Sequence, residues 1–331
     1  MRITVLMGGA SSERDVSLAS GLRIVAALAA GGHEVTALDP AFGVLDEAAL
    51  NELRRRRVGT EPPSLEALAG LSGGLRSDLA SMPEVCKADV VFLALHGGEG
   101  EDGTVQALLD MAGVRYTGSG RLASALAMDK ELSKTLFRAA GVGTADWLMA
   151  PRSVDEVELT LGWPVVVKPS KQGSTVGLTV VREASALQDA IAEAFRYDDE
   201  VMIERFIAGR ELTVGVLGSE ALPVGEIKPA KEIYDYECKY TPGMAIEEFP
   251  ANLSPEVTKE LQIQAQRAFA ALKLRGCARI DFRLSDAGEC YCLEANTLPG
   301  MTELSLIPQG AAAAGMSFRQ LCERIVQLAL G

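Results

Sequence analysis

Over its first 120 or so residues the chain alternates short apolar runs with segments of helical period, and this alternation constrains its fold more than any other feature. Residues 2–7 read as a buried strand. After the turn at Gly8-Gly9, Leu18, Leu22, Val25 and Leu28 recur at the spacing of one helical face. Gly31-Gly32 ends that helix, and His33 to Asp39 returns as a strand, completing a β-α-β unit. A second unit opens with Val90-Val-Phe-Leu-Ala-Leu95, continues through a helix carrying Val105, Leu108 and Leu109, and closes on a short strand around Tyr116. Strands that are apolar on both faces need cover on both sides, so the fold class is α/β, with an open parallel sheet at the N-terminus.

A chain of 331 residues exceeds what one core usually holds, so two or three domains are expected. From about residue 125 the texture becomes α+β: a helix from Asp129 to Ala140, a strand 164–168, a Gly/Ser loop, a strand 178–181, a helix 185–197 and a strand 200–206. A third part starts with a hairpin, 212–217 and 222–227, joined by Gly218-Ser-Glu220. The irregular stretch 228–250 follows, and loops of that length inside a compact domain are usually functional or disordered. Ser254-Pro255 opens a helix that ends at Gly276. Two strands, 277–284 and 289–295, flank the turn Ser285-Asp-Ala-Gly288, and a last helix places Phe318, Leu321, Ile325 and Leu328 on one face. The expected divisions are 1–124, 125–211 and 212–331. Residues 40–84, rich in Gly, Pro and Ser with a helix at about 46–57, look peripheral; the run Arg54–Arg57 suits the negative end of that helix.

Composition narrows the function classes. With 45 acidic and 32 basic residues the formal charge is −13, which repels a polyphosphate backbone and anionic membranes alike, so neither is an expected partner. No run approaches the ~18 apolar residues of a membrane span. The apolar run at Met1 is too short for a signal peptide and meets charge by Glu13, which points to the cytoplasm. Six cysteines without a C-x-x-C pair read as reduced core thiols, and two histidines, His33 and His96, cannot build a histidine-rich zinc site.

Two groups of residues carry chemistry on spacing alone. If 285–288 is the turn, residue 284 faces 289, Arg279 faces Glu294 and Asp281 lies diagonally from it. Strand alternation then projects Arg279, Asp281, Glu294 and Asn296 to one side. Two carboxylates and an amide oxygen suit Mg²⁺, although Arg279 pairing with either acid on an exposed face would look the same. The second group is the loop Lys168-Pro-Ser-Lys-Gln-Gly-Ser-Thr-Val-Gly177 between two apolar strands. Gly173 and Gly177 permit positive φ, and successive N–H groups, hydroxyls and Lys168 can gather around a phosphate; a polar hairpin loop is the plain alternative. The Walker A pattern is absent. Gly118-Ser-Gly120-Arg-Leu-Ala123 imitates the dinucleotide fingerprint but lacks a prompt second strand with its acidic residue. Glu13 and the segment His96-Gly-Gly-Glu-Gly-Glu101-Asp-Gly103 sit where open α/β sheets bind ligands, or else serve as helix caps.

Taken in order, these stretches resemble the D-alanine–D-alanine ligase family of the ATP-grasp superfamily. The matching stretches are Gly8–Ser17, His96–Gly103, Tyr116-Thr-Gly-Ser-Gly120, Met128-Asp-Lys130, the 168–177 loop, Tyr234-Asp-Tyr-Glu-Cys-Lys239-Tyr240, Arg279-Ile-Asp281 and Leu293–Thr302, with 40–84 outside the likeness. The resemblance implies a substrate domain followed by a two-part ATP-grasp fold. ATP would lie between the two later parts with Lys130 and Lys168 on its phosphates, Glu204 and the backbone near Ile207 on adenine, Glu211 on the ribose, and Lys239 reaching the γ-phosphate. It also implies two Mg²⁺ ions, with Mn²⁺ as an alternative, on Asp281, Glu294 and Asn296. Glu13 would anchor the first D-alanine through Ser174 and Tyr240, with His96 and Glu101 beside it. Arg279 and the N–H of Gly300 would face the oxyanion, and Ser305 and Leu306 the second carboxylate. A homodimer and a role in peptidoglycan precursor synthesis are further expectations. The alternatives are a D-alanine–D-lactate type ligase, which tends to place histidine at the position of Tyr240, a non-catalytic nucleotide-binding protein on this fold, and a dehydrogenase.

Overall fold

The computed structural model describes residues 1–55, 59, 75–76, 78–231, 233–234, 236–241 and 243–331, with Tyr236 and Tyr240 described by their backbone alone. The N-terminal sheet is centred on β1 (Arg2–Leu6), flanked in parallel by β2 (Glu34–Asp39) and, on the other side, by β4 (Val90–Leu93); β3 (Gly43–Val44) adds an antiparallel edge to β2. The expected closing strand at Tyr116 amounts to one parallel bridge to Val91.

The helix Arg14–Ala30 turns a different face to the sheet than its leucine spacing suggests. Its buried residues are Val16, Ser17, Leu18, Ser20, Gly21, Ile24 and Leu28, whereas Leu22 and Val25 are half-buried. The reason is that the helix is covered from two directions. It packs on the helix Phe318–Leu330 as well as on the sheet, and at Gly21 a Cβ would lie 2.4 Å from that of Met7. In the helix Phe318–Leu330 itself, Leu321, Cys322, Ile325 and Val326 are buried.

The middle sheet is antiparallel throughout, in the order β5 (Trp147–Met149), β8 (Val201–Arg205), β6 (Val165–Pro169), β7 (Thr179–Val181). Val165, Val167, Val201 and Ile203 form a core with Val157, Leu187 and Ile191 from the helices Val154–Thr160 and Leu187–Ala194. Because successive side chains alternate, Lys168 and Glu204 project to the opposite face.

The last sheet runs β12 (Ala245–Glu248), β11 (Gly225–Pro229), β9 (Arg210–Leu217), β13 (Cys277–Leu284), β14 (Cys290–Asn296), with β10 (Glu220–Ala221) also paired to β9. The hairpin expected at 212–227 is present, but its return arm is split into β10 and β11. Pro223 lies in the break and has no N–H for the ladder. The helix Pro255–Ala271 covers one face of this sheet through Leu261, Ala265 and Ala268 against Leu212, Val214, Ile280, Phe282 and Ala295.

On the other face the register of β13 and β14 departs from the sequence expectation twice. The connection is one residue longer than supposed: Leu284 pairs with Cys290, and Ser285 N–H bonds to the Glu289 carbonyl at 2.9 Å. A bulge at Leu293 then moves the pairing from Phe282 with Cys292 to Asp281 with Glu294. Arg279 therefore faces Asn296 rather than Glu294, and Asp281 lies directly opposite Glu294 instead of diagonally. Two one-residue shifts make an even displacement, so all four polar residues still share a face.

Helix ends and cysteines show smaller differences. The helix of the peripheral segment spans Glu47–Leu53; Arg54 beyond it is exposed and donates to Asn51, and Arg56 and Arg57 lie outside the described residues. No disulfide joins the six cysteines, all of them among the described residues, but Cys86 is exposed rather than part of a core. No helix among the described residues is long and apolar enough to cross a membrane. Phe282 is fully buried at the centre of the last sheet. Phe282→Ala is expected to remove about 3–5 kcal/mol of stability, read as a lower urea midpoint at unchanged slope; an unmoved midpoint would refute its place in that core.

Candidate active site

Two adjoining clefts collect the residues singled out by the sequence. The first, between the middle and last sheets, is lined by Lys130, Lys168, Ser174, Glu204, Ile207, Glu211, Lys239, Arg279, Asp281, Glu294 and Leu306, with Val166, Phe206, Ile227 and Leu293 as apolar wall. The second, toward the carboxyl ends of the parallel strands, is lined by Glu13, His96, Glu101, Asn296, Gly300 and Ser305. Lys130, Ser174, Lys239, Arg279, Glu294 and Leu306 border both. Among the residues expected in the site, only the Tyr240 side chain lies outside the described residues.

The acidic ribbon is held tightly. The Asp281 carboxylate accepts from Thr213 Oγ1 at 2.7 Å, from Asn296 Nδ2 at 2.9 Å, and from Arg279 through Nε at 2.9 Å and Nη2 at 2.8 Å. The pairing of Arg279 with an acid, one of the two readings left open, is thus present, but in a cleft and not on an exposed face. Burial alone would raise the Glu294 carboxyl; Lys130, Lys239, Lys168 and Arg279 outweigh it and hold the group down at about 2. Lys130 Nζ lies 3.4 Å from Glu294 and donates to the Gln172 carbonyl at 2.7 Å. Two carboxylates and one amide oxygen form an open, oxygen-only donor set. Among the described residues no group of three or more His, Cys, Asp or Glu could enclose an ion by itself. Such a set fits a hard cation whose shell is completed by phosphate and water, as Mg²⁺ prefers.

Lys168 donates to Glu204 at 2.6 Å, and the other oxygen of Glu204 takes Lys134, a residue the sequence reading missed. Its signal was available: Lys130 and Lys134 are four apart on one helix, which puts them on one face. Arg283 was missed as well; it bonds the Ile207 carbonyl at 3.1 Å and Glu211 at 3.2 Å. Burial raises the Glu211 carboxyl, and Arg283 opposes it. Lys239 Nζ stands 5.5 Å from the centroid of the Tyr234 ring.

The 168–177 loop uses its residues differently from the expectation. Gly177 has φ +70°, but the other positive values belong to Ser174 (50°) and Thr175 (65°), not to Gly173. Gly173 is needed for room, since a Cβ there would sit 2.8 Å from Glu13 Oε2. Ser174 Oγ donates to Glu13 at 2.5 Å, and Thr175 Oγ1 donates to the Tyr234 carbonyl at 3.0 Å. The strained turn therefore touches both the first helix and the 228–250 segment.

His96 Nδ1 lies 2.8 Å from the Leu298 carbonyl, which can only accept, so this nitrogen carries a proton. Burial lowers the pKa of His96, with Glu13 opposing, so the ring is neutral and Nε2 accepts from Ser20 Oγ at 3.1 Å. Ser20 in turn accepts from Met301 N–H at 3.0 Å. Glu101 is pushed up to about 7 by burial and by Glu13; it accepts from the N–H groups of Gly97, Thr297 and Leu298. His96, Ser20 and Glu101 thereby grip the 297–301 segment that carries Gly300. Gly300 allows the chain to pass Ser305, whose Oγ would be 2.7 Å from a Cβ. Gly118, in the segment imitating a dinucleotide fingerprint, packs against Gly276, whose Cβ would lie 3.1 Å from the Gly118 nitrogen. Chain, not open space for a pyrophosphate, occupies that position.

A cleft between two antiparallel sheets, walled by apolar residues, floored by lysines and an acidic ribbon, and opening onto a second pocket against a parallel sheet, defines an enzyme of the ATP-grasp class. The family descriptions D-ala D-ala ligase N-terminus and D-ala D-ala ligase C-terminus match residues 2–119 and 136–327. The D-alanine–D-alanine ligase of Citrifermentans bemidjiense is 44% identical over 328 residues, covering 99% of this chain and 96% of its own. This chain belongs to the D-alanine–D-alanine ligase family. Among solved structures, the D-alanine–D-alanine ligase of Bacillus anthracis complexed with ATP superposes with a TM-score of 0.78 at 31% identity, covering 100% of this chain and 97% of that one. The D-Ala:D-Ser ligase of Enterococcus faecalis gives 0.82 at 29% identity, covering 99% and 98%.

Glu204 sets a pH dependence. Burial would raise its carboxyl, but Lys134 and Lys168 hold it down at about 2, below an unfolded value near 4.5. A depressed acid adds stability above its unfolded pKa and loses it as pH falls through the folded one. Unfolding free energy is expected to decline between about pH 4.5 and 2, and more shallowly in Glu204→Gln. Identical slopes in acid denaturation of the two proteins would contradict the pairing.

Proposed function

We propose that this chain ligates two D-alanine molecules to D-alanyl-D-alanine with ATP, forming ADP and phosphate, for peptidoglycan precursor synthesis. The observation that carries this reading is the pair of clefts with a shared border: a phosphate in one meets a carboxylate in the other at Lys130, Arg279 and Glu294. In this reading residues 1–124 form the substrate domain, and 125–211 and 212–331 the two halves that hold the nucleotide. Adenine lies against Glu204 and the backbone at Ile207, the ribose near Glu211, and the phosphates under Lys130, Lys168, Lys239 and the 168–177 loop.

Asp281, Glu294 and Asn296 are the residues that would hold Mg²⁺, two ions or Mn²⁺ in its place, and the bound cation would offset the charge of the phosphate oxygens. Glu13, fixed by Ser174, anchors the ammonium of the first D-alanine beside His96 and Glu101. The carboxylate of that first D-alanine attacks the γ-phosphoryl group, ADP leaves, and D-alanyl phosphate results. The amine of the second D-alanine then adds to the acyl carbon. Arg279, whose Nε and Nη2 are committed to Asp281, has Nη1 left to donate, and with Gly300 N–H it stabilises the tetrahedral oxyanion until phosphate departs. Ser305 and Leu306 open the helix Leu306–Ala313, whose positive end suits the second carboxylate. A net charge of −13 and the absence of a membrane-crossing helix among the described residues support action on small molecules in the cytoplasm, without nucleic acid or membrane; a homodimer follows from family habit.

Phosphate release from ATP is expected with D-alanine, little with D-lactate and none with L-alanine, near neutral pH; equal rates with D-alanine and D-lactate would overturn the choice of an amine acceptor. Arg279→Ala is expected to lower turnover by roughly 10²–10³ in the same assay, and near-normal turnover would remove its oxyanion role.

A further inference from the structure

Lys134 takes no part in the chemistry above, yet its side chain has no exposed surface. It lies one helical turn beyond Lys130, on the same face of the helix Lys130–Ala139. Its Nζ donates to Glu204 and, at 2.5 Å, to Thr144 Oγ1, and stands 5.1 Å from the centre of the Trp147 ring. Thr144 Oγ1 in turn donates to the Cys292 carbonyl at 2.8 Å, two residues before Glu294. One ammonium thus ties together the helix of Lys130, strand β8 and strand β14.

Charge accounting gives this arrangement a purpose. Lys168 and Glu204 alone would form a neutral pair, 2.6 Å apart and buried, presenting little field to a phosphate. Lys134 adds a second positive charge on the far oxygen of Glu204, so the group of three carries a net +1. We propose that Lys134 is a positioning residue for the nucleotide: it offsets Glu204 so that Lys168 keeps an uncancelled charge for the phosphates, and it fixes the carboxylate from which Lys168 is aimed. This rests on the reading of the first cleft as the ATP site. Glu204 stays ionised against its own burial because of the two lysines, whereas burial lowers Lys134 and Glu204 opposes that lowering.

The test is steady-state phosphate release with D-alanine and ATP for the wild type, Lys134→Met and Lys134→Arg, with thermal melts of each. Methionine keeps most of the length of the side chain and removes its charge, whereas arginine keeps the charge beside Glu204. Lys134→Met is expected to raise KM for ATP by roughly tenfold or more and to leave KM for D-alanine within about twofold, whereas Lys134→Arg keeps KM for ATP within about threefold of wild type. A structural role alone would move both KM values together. The proposal is overturned if Lys134→Met keeps the wild-type KM for ATP, or if it raises both KM values alike. If Lys134→Met does not fold, Lys134→Gln takes its place and is read by the same ratios. A wild type inactive with D-alanine would sink the ligase reading instead, and calorimetric ADP affinities of the same proteins would then judge Lys134 by the same ratios.

Discussion

Buried charge is the constraint around which this molecule is organised. Lys130, Lys134 and Lys168 stand against Glu204, Glu294 and Asp281 where the middle and last sheets meet, and nearly all of these groups are withdrawn from water. Ions in such a place are costly unless each has a well-placed partner, and removing one member of a buried pair typically costs ~3–5 kcal/mol. Many surrounding features can be read as meeting that demand. Thr213 and Asn296 complete the shell of Asp281, Thr144 completes that of Lys134, and Gln172 lends a carbonyl to Lys130. The charges come from five pieces of chain, the helix Lys130–Ala139 and strands β6, β8, β13 and β14, and the contacts of Lys130 with Glu294 and of Lys134 through Thr144 with Cys292 form only when the middle and last sheets pack in one relative arrangement.

The sequence made much of this legible, for reasons that depend on periodicity. The parallel N-terminal sheet could be read because its strands are apolar throughout and its helices are punctuated by glycines. The shared face of Arg279, Asp281, Glu294 and Asn296 could be read because alternation along a strand has a period of two, and it survived an incorrect register because the two shifts summed to an even number. The bulge at Leu293 had no signature, since nothing in Cys-Leu-Glu announces an extra residue. The burial of Ser17, Ser20 and Gly21 ran against hydropathy: these small residues lie where the helix Arg14–Ala30 presses closest to the sheet, and the serines carry hydrogen bonds to Ala94, His96 and Met301. Lys134 was passed over because an interior lysine on an amphipathic helix normally points to water, and only the tertiary position of Glu204 makes burial tolerable.

The flap over the first cleft shows how local strain depends on distant contacts. Ser174 and Thr175 hold left-handed backbone conformations that non-glycine residues seldom adopt. Each also spends its hydroxyl on another part of the molecule, Ser174 on Glu13 and Thr175 on the Tyr234 carbonyl. Strain of this kind persists only where the surroundings over-determine it, and here the surroundings are the first helix and the 228–250 segment. Glycine at these two positions would ease the turn and forfeit both hydrogen bonds.

From this follows a coupling between the two clefts. The carboxylate that receives Ser174 is the one proposed to anchor the first D-alanine, and Gly173 passes so close to it that a Cβ there would push the carboxylate aside. The 168–177 loop lines the first cleft and meets the wall of the second through Ser174, so under the proposed assignment one loop serves both the nucleotide and the first D-alanine. An acyl phosphate formed at the shared border would be enclosed by segments from all three sheets, which keeps water from competing with the acceptor amine. The grip of Ser20, His96 and Glu101 on the 297–301 segment works in the same direction. It fixes the Gly300 N–H from the N-terminal side while Arg279 is held by Asp281 in the last sheet, so the two groups proposed to donate to one oxyanion are set by different parts of the fold.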